Sequence, residues 1–295
     1  MFKILITGSS GFIGQHLLHY LRVQGYTVIP ADIKDGIDLT QEHVVKNLPD
    51  VDIVIHLAAY NGTKHFYDKP FDVIRNSVLP TQYLLERYSG KVKRFIFAGT
   101  CESYAGAVDI FDWPVPTDET VPLVVGDVKN PRWSYGGSKI VNELQVIAAH
   151  EQLGQEYTII RYHNVFGPNQ VDHFIPEFID RAKTGDYTLK GYLNTRSFMY
   201  IDDAVEATRL IIESDKIKNQ IINVGNDKEI KILDVANMIL DLIDVKSPLV
   251  LYPEPLGSVK RRCPDIKKLK SLGFKSKITL LQGLMKVMES QCKLE

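Results

Sequence analysis

Thr7-Gly-Ser-Ser-Gly-Phe-Ile-Gly14 follows the apolar run Phe2–Ile6 and opens an amphipathic stretch that continues to Gln24. Strand, glycine turn and helix in that order describe a pocket for a dinucleotide pyrophosphate. Gly8 permits the tight turn, Gly11 leaves backbone N–H groups open to phosphate, and Gly14 lets the helix lie close on the strand. The helix N-terminus adds unpaired donors and partial positive charge. Phe12 and Ile13 begin that helix and join the candidate cofactor set.

Beyond this unit, β-rich runs alternate with helical periodicity. Thr27–Ala31, Ile53–Leu57, Arg94–Ala98 and Tyr157–Arg161 read as strands, and Phe12–Gln24, Phe71–Tyr88 and Tyr135–Leu153 as helices. The alternation predicts an α/β fold, a doubly wound parallel Rossmann sheet with a smaller α/β C-terminal substrate lobe. The expected division is 1–166 for the dinucleotide-binding domain and 167–295 for the lobe, with 220–224 returning to the sheet. Helices are expected near His173–Lys183, Asp202–Ser214, Ile232–Ile243 and Ile278–Glu289. The long, proline-containing stretch Ala105–Trp133 reads as a loop that covers the site.

The chain has 295 residues, with 35 basic against 36 acidic side chains. That balance gives no reason to expect a nucleic-acid or membrane partner. No apolar stretch reaches bilayer length, and Met1 leads directly into the first strand, so a cytoplasmic protein without a signal peptide is expected. Cys101, Cys263 and Cys292 are odd in number and lack metal-ligand spacing, which suits a reducing compartment and no metal site.

Further anchors for the dinucleotide lie at strand ends. Asp32 closes the second strand, where a carboxylate can accept from both adenosine ribose hydroxyls and would repel a 2′-phosphate, favouring NAD. A turn aspartate is the alternative. Asp38 and Leu39 follow, with Asp38 able to meet the adenine amino group. Leu57, Ala58 and Ala59 after His56 allow close passage of phosphates and sugars, or pack the strand end.

Tyr135 and Lys139 are spaced i, i+4 at the start of a predicted helix, so phenol and ammonium share a face. Lysine together with an oxidised nicotinamide ring stabilises phenolate, which can take a hydroxyl proton. Thr100 stands at the carboxyl end of a strand, where the ligand crevice lies.

Together, Thr7–Gly14, Asp32, His56–Ala59, Thr100, Tyr135 with Lys139, and Arg161-Tyr-His-Asn-Val-Phe-Gly-Pro168 resemble the extended short-chain dehydrogenase/reductase family, from Phe2 to about Gly273. Its NAD-dependent sugar-nucleotide epimerases and dehydratases are the nearest in pattern. The resemblance implies tightly held NAD, with Asn76 added to its contacts, and a Thr100, Tyr135, Lys139 triad. It also implies a nucleotide-diphosphate sugar facing Asn164, Arg196 and Arg262, and a homodimer built on Phe71–Tyr88 and Tyr135–Leu153. In Thr100-Cys-Glu-Ser-Tyr104, the glutamate two residues after the hydroxyl is similar to that of 4,6-dehydratases and hexuronate decarboxylases. Glu102 as a base at C5 inclines the reading to 4,6-dehydration, with decarboxylation or C4 epimerisation as alternatives. Cys101 occupies the position of the dehydratase acid, where a thiol can donate or simply pack. A non-catalytic NAD-sensing protein is the remote alternative.

Overall fold

A computed structural model describes residues 2–254 and 258–292. Its centre is a six-stranded sheet built from β1 (Lys3–Thr7), β2 (Thr27–Ala31), β3 (Ile53–His56), β4 (Arg94–Thr100), β5 (Tyr157–Tyr162) and a late strand, Gln220–Val224. All neighbouring pairs are parallel. Short strands β6 (Val165–Phe166), β7 (Thr188–Lys190), β8 (Thr195–Arg196) and β9 (Met199–Tyr200) precede that late strand, which is therefore β10. The order across the sheet is β10-β5-β4-β3-β1-β2. β11 (Ile230–Lys231), β12 (Val250–Tyr252) and β13 (Arg261–Arg262) complete small outlying sheets, in one of which β8 lies between β11 and β13.

Helices α1 (Phe12–Val23), α2 (Glu42–Lys46), α3 (Thr63–Asp68), α4 (Pro70–Tyr88), α5 (Ala105–Phe111) and α6 (Trp133–Leu153) fall in the first part of the chain. α7 (Phe174–Lys183), α8 (Ile201–Glu213), α9 (Ile232–Leu242), α10 (Lys267–Ser271) and α11 (Leu280–Cys292) follow. Alternation along each strand sends side chains to opposite faces. Ile4, Ile6, Ile53, Ile55, Ile96 and Ile160 join a core under α1, α8 and α9. Leu5, Val54, Phe95, Phe97 and Ile159 join another under α4 and α6. Both faces are buried, so these strands read as continuous apolar runs.

The expected doubly wound parallel sheet is present. The stretch 105–132 differs from the expected loop because it begins with helix α5. Ala105-Gly-Ala lacks the periodicity that announces a helix, yet Gly106 packs so closely that a Cβ there would be driven into the Val124 carbonyl. The returning 112–132 segment thus lies directly on α5. Short helices α2, α3 and α10 are also absent from the sequence expectation, each being five or six residues long.

Candidate active site

Strand β1 ends in a turn in which Gly8 and Gly14 are required by space. Gly8 has φ +70°, and a Cβ there would meet Ala58 N at 2.7 Å. At Gly14 a Cβ would run into the Gly8 carbonyl oxygen, which fixes how closely α1 starts beneath β1. Gly11 is the N-cap of α1 and carries no side-chain cap. The helix therefore presents bare N–H groups to the crevice at the sheet's carboxyl edge.

That crevice is a cavity of about 530 Å³. Among the expected residues, it is lined by Gly8, Gly11, Phe12, Ile13, Gly14, Leu57, Ala59, Thr100, Cys101, Glu102, Tyr135, Lys139, Asn164, Arg196 and Arg262. It therefore runs without interruption from the glycine turn to two arginines. A cradle of glycine backbone at one end and guanidinium groups at the other suits a dinucleotide beside a second phosphate-bearing molecule.

Asp32, Asp38, Leu39, Ala58 and Asn76 stand outside this lining. Asp32 accepts from Ser10 N at 2.9 Å with one oxygen and from Lys34 N at 3.0 Å with the other. It thus caps a short 3-10 turn and ties it to the glycine loop, and each oxygen keeps a lone pair for a further donor. Asp38 accepts from both the N–H and hydroxyl of Thr40, at 2.9 and 2.7 Å. Leu39 is core, and Asn76 is half-buried on α4.

At the middle of the crevice, Thr100 ends β4 while Tyr135 and Lys139 descend one face of α6. The Thr100 hydroxyl accepts from Glu102 N at 3.2 Å and faces the same crevice as the Tyr135 phenol. Lys139 is 2% exposed and donates from Nζ to the Ala98 carbonyl at 2.7 Å. Its ammonium lies 4.7 Å from the Phe97 ring centroid and 6.0 Å from that of Tyr135. Burial lowers Lys139 to about 8 against the opposing pull of Glu143. Burial first, and the Glu102 charge second, push the Tyr135 phenol above its ordinary value, while Thr100 acts the other way. In the protein alone the phenol is therefore a proton donor.

Glu102 is clamped. Its Oε1 accepts from Arg262 Nη1 at 2.6 Å and its Oε2 from Arg132 Nη2 at 3.0 Å. Burial works to raise this carboxyl, but Arg262 and then Arg132 override it and leave the group at about 2. Burial, with Arg262 adding repulsion, lowers Arg196 to about 9. Among the described residues Arg196 has no ion-pair partner within 4.0 Å, and its Nη1 donates to the Thr195 carbonyl. The Cys101 thiol is 4% exposed and is raised by burial, so it stays protonated. Asn164 adopts φ +35° and donates its amide to the Ser197 carbonyl at 2.9 Å.

Sequence reasoning passed over Asn61, Phe66, His173, Lys190, Asn194 and Ser258, all of which line the crevice. Phe66 stacks on Tyr135 with centroids 4.8 Å apart and planes at 10°. Its position on α3, a helix without strong periodicity, gave no signal. Among the described residues no group of three or more His, Cys, Asp or Glu could hold a metal ion, and no helix is long and apolar enough to cross a membrane.

Comparison with known proteins places these features in a family. The sequence profile of the NAD dependent epimerase/dehydratase family matches residues 4–225. A UDP-N-acetyl-alpha-D-glucosaminuronate decarboxylase from Bacillus cytotoxicus is 31% identical, with 97% of each chain covered. A putative UDP-glucose 4-epimerase from Methanocaldococcus jannaschii is 32% identical over 96% of each chain. The crystal structure of UDP-glucuronic acid 4-epimerase from Bacillus cereus, in complex with UDP-glucuronic acid and NAD, superposes with a TM-score of 0.87 at 26% identity, covering 99% of both chains.

Proposed function

The chain belongs to the NAD dependent epimerase/dehydratase family, its cofactor is NAD, and from that premise we propose that it decarboxylates a nucleotide-diphosphate hexuronate after transient oxidation at C4. The observation that carries this reading is the state of Glu102. A 4,6-dehydratase needs a carboxylate that takes the C5 proton, and a group held at about 2 by two guanidinium partners is a weak base at neutral pH. Dehydration, towards which the sequence inclines, accordingly becomes the second reading. Cys101 likewise departs from the carboxylic acid that dehydration favours for loss of water at C6. Decarboxylation of a β-keto acid needs neither group.

In this reading the glycine turn and the N-terminus of α1 hold the pyrophosphate of NAD, and Asp32 holds its adenosine ribose. The chemistry that NAD supplies when bound is acceptance and later return of a hydride, with a ring that is cationic while oxidised. Tyr135 takes the proton of the C4 hydroxyl, and Thr100 holds the same oxygen. Because the phenol is raised in the protein alone, it releases its proton only once positive charge is added beside it; Lys139, positive up to about 8, contributes to that charge. Once C4 is a ketone, the C6 carboxylate is that of a β-keto acid. The C5–C6 bond breaks, carbon dioxide leaves, and its electron pair forms an enolate across C5 and C4. A proton taken up from water replaces the departed carboxyl group at C5, and return of the hydride to C4 with Tyr135 giving its proton back completes the cycle. Arg196 and Arg262 pair with the substrate's diphosphate, a planar fork meeting two oxygens at once.

The test is to incubate the NAD-loaded protein with nucleotide hexuronates and hexoses and weigh the products. Loss of carbon dioxide from a hexuronate is expected. Loss of water from a hexose would select dehydration, an unchanged mass with inverted C4 would select epimerisation, and no turnover of any sugar nucleotide would remove the enzymatic reading.

A further inference from the structure

The interior between β4, β5 and α6 holds a polar network that the proposed chemistry does not use. Arg161 on β5 presents Nε and Nη2 to the two carboxylate oxygens of Glu143 at 3.0 and 2.7 Å, and each side chain is 3% exposed. Its Nη1 donates to the Tyr104 phenol oxygen at 3.1 Å and to the Glu119 carbonyl at 3.2 Å. Tyr104 donates to Asn223 Oδ1 at 2.6 Å, and Asn223 Nδ2 donates to the carbonyls of Thr117 and Asp265, both at 3.1 Å. The Glu119 carboxylate accepts from Asn223 N at 2.9 Å. One ion pair thus connects the helix of Tyr135 and Lys139 with the turn after Glu102, the covering segment and the residues just past Arg262.

Replacing a buried pair of this kind by apolar groups is often neutral or stabilising, so stability alone gives little reason for it. Its placement gives another. Tyr135, Lys139 and Glu143 follow one another at i, i+4 and i+8 on α6. At Gly99, the residue before Thr100, a Cβ would stand 2.9 Å from Glu143 Oε1 and 3.2 Å from Arg161 Cγ. The pair therefore presses on the strand end from which Thr100 projects, next to the Ala98 carbonyl that receives Lys139.

We propose that Glu143 and Arg161 are positioning residues for Lys139: the pair locks α6 in register against the end of β4 and keeps a fixed anion one helical turn from the ammonium. The inference rests on the role proposed for Lys139. The charged or titratable groups set about that ammonium are Tyr135 and Glu143 on α6, His56 on β3, Arg161 on β5 and, beyond the phenol, Glu102. β4 presents the Ala98 carbonyl and the Phe97 ring, and α4 presents Thr81, which bonds His56 at 3.0 Å. His56 is held neutral by burial and, less, by Lys139, so Glu143 is the anion nearest in sequence and on the same face.

The experiment uses the full chain loaded with NAD and two variants. Glu143→Gln with Arg161→Met removes both charges together and avoids stranding one of them. Titration of the Lys139 13Cε resonance should move to lower pH by about one unit in this double variant. The basic limb of the kcat profile should move the same way, with kcat down about tenfold and KM little changed. Glu143→Asp keeps the anion but shortens its reach; Lys139 should titrate as in the parent while kcat falls. A folded, NAD-binding double variant whose Lys139 titration and pH profile superimpose on the parent would overturn the proposal. Should the double variant not fold, parental kcat in Glu143→Asp would overturn it equally. The Lys139 titration is read without substrate, so it stands whatever sugar nucleotide the protein uses.

Discussion

At the level of single residues, the proposed chemistry turns on a phenol that is a poor base until charge is placed beside it. Tyr135→Phe removes one hydroxyl from a packed ring, so stability should change by no more than about 1 kcal/mol while turnover is lost by at least three orders of magnitude. Thermal denaturation with and without NAD, beside a product assay, checks both halves; retained turnover would exclude the phenol as the base. Glu102 separates the two lyase readings. If it served as base, Glu102→Gln would abolish turnover. As the partner of Arg262 and Arg132, its amide replacement should instead cost about 10- to 100-fold in kcat/KM, mostly through KM, as the guanidinium groups lose their anchor. That Thr100, Tyr135 and Lys139 would meet in one crevice was legible in sequence because i, i+4 spacing and a strand end are local signals. The clamp on Glu102 was not, since Arg262 lies 160 residues away and only the folded chain brings it back.

Elements carry the next level of argument. The junction of β1 and α1 was read correctly because each glycine there answers a backbone requirement that a short motif can express. Gly14→Ala forces a methyl into the Gly8 carbonyl. The expected result is a loss of about 1–3 kcal/mol of stability together with at least tenfold weaker NAD binding, measured by denaturant titration and by calorimetry. Parental affinity would show that α1 can shift without harm to the pyrophosphate site. Helix α5 escaped the sequence reading for a physical reason: Ala105-Gly-Ala follows no apolar period, and the helix is held by close contact with Val124 rather than by its own pattern. Gly106→Val should therefore loosen the 105–132 cover selectively. Amide exchange should rise across 105–132, while the β4 and β5 amides stay protected; uniform exchange would contradict a locally held cover.

For the whole molecule, the six-stranded sheet was foreseeable from alternating strand and helix periods, whereas the cross-links that join its far parts were not. His56 and His163 show why. Each is fully buried and is lowered to about 3, chiefly by burial. His56 bonds Thr7 at 2.7 Å and Thr81 at 3.0 Å, and His163 bonds Asn223 at 3.2 Å. A histidine depressed in the folded state contributes stability that is whole above its unfolded value near 6.5 and is lost as the pH falls towards 3. Two such groups predict a decline approaching about 2.7 kcal/mol per pH unit below pH 6. Urea titrations between pH 7 and 4 should show this, and His56→Asn should flatten the slope; a pH-independent midpoint would contradict the burial of both rings as neutral groups. On the proposed function the whole crevice, from glycine turn to arginine cluster, oxidises C4 of an acidic sugar and releases its carboxyl group. The most direct measurement supplies the NAD-loaded protein with a nucleotide hexuronate carrying 13C at C6. The account predicts labelled carbon dioxide and an unlabelled nucleotide pentose, whereas a label that stays in the sugar through turnover would contradict it.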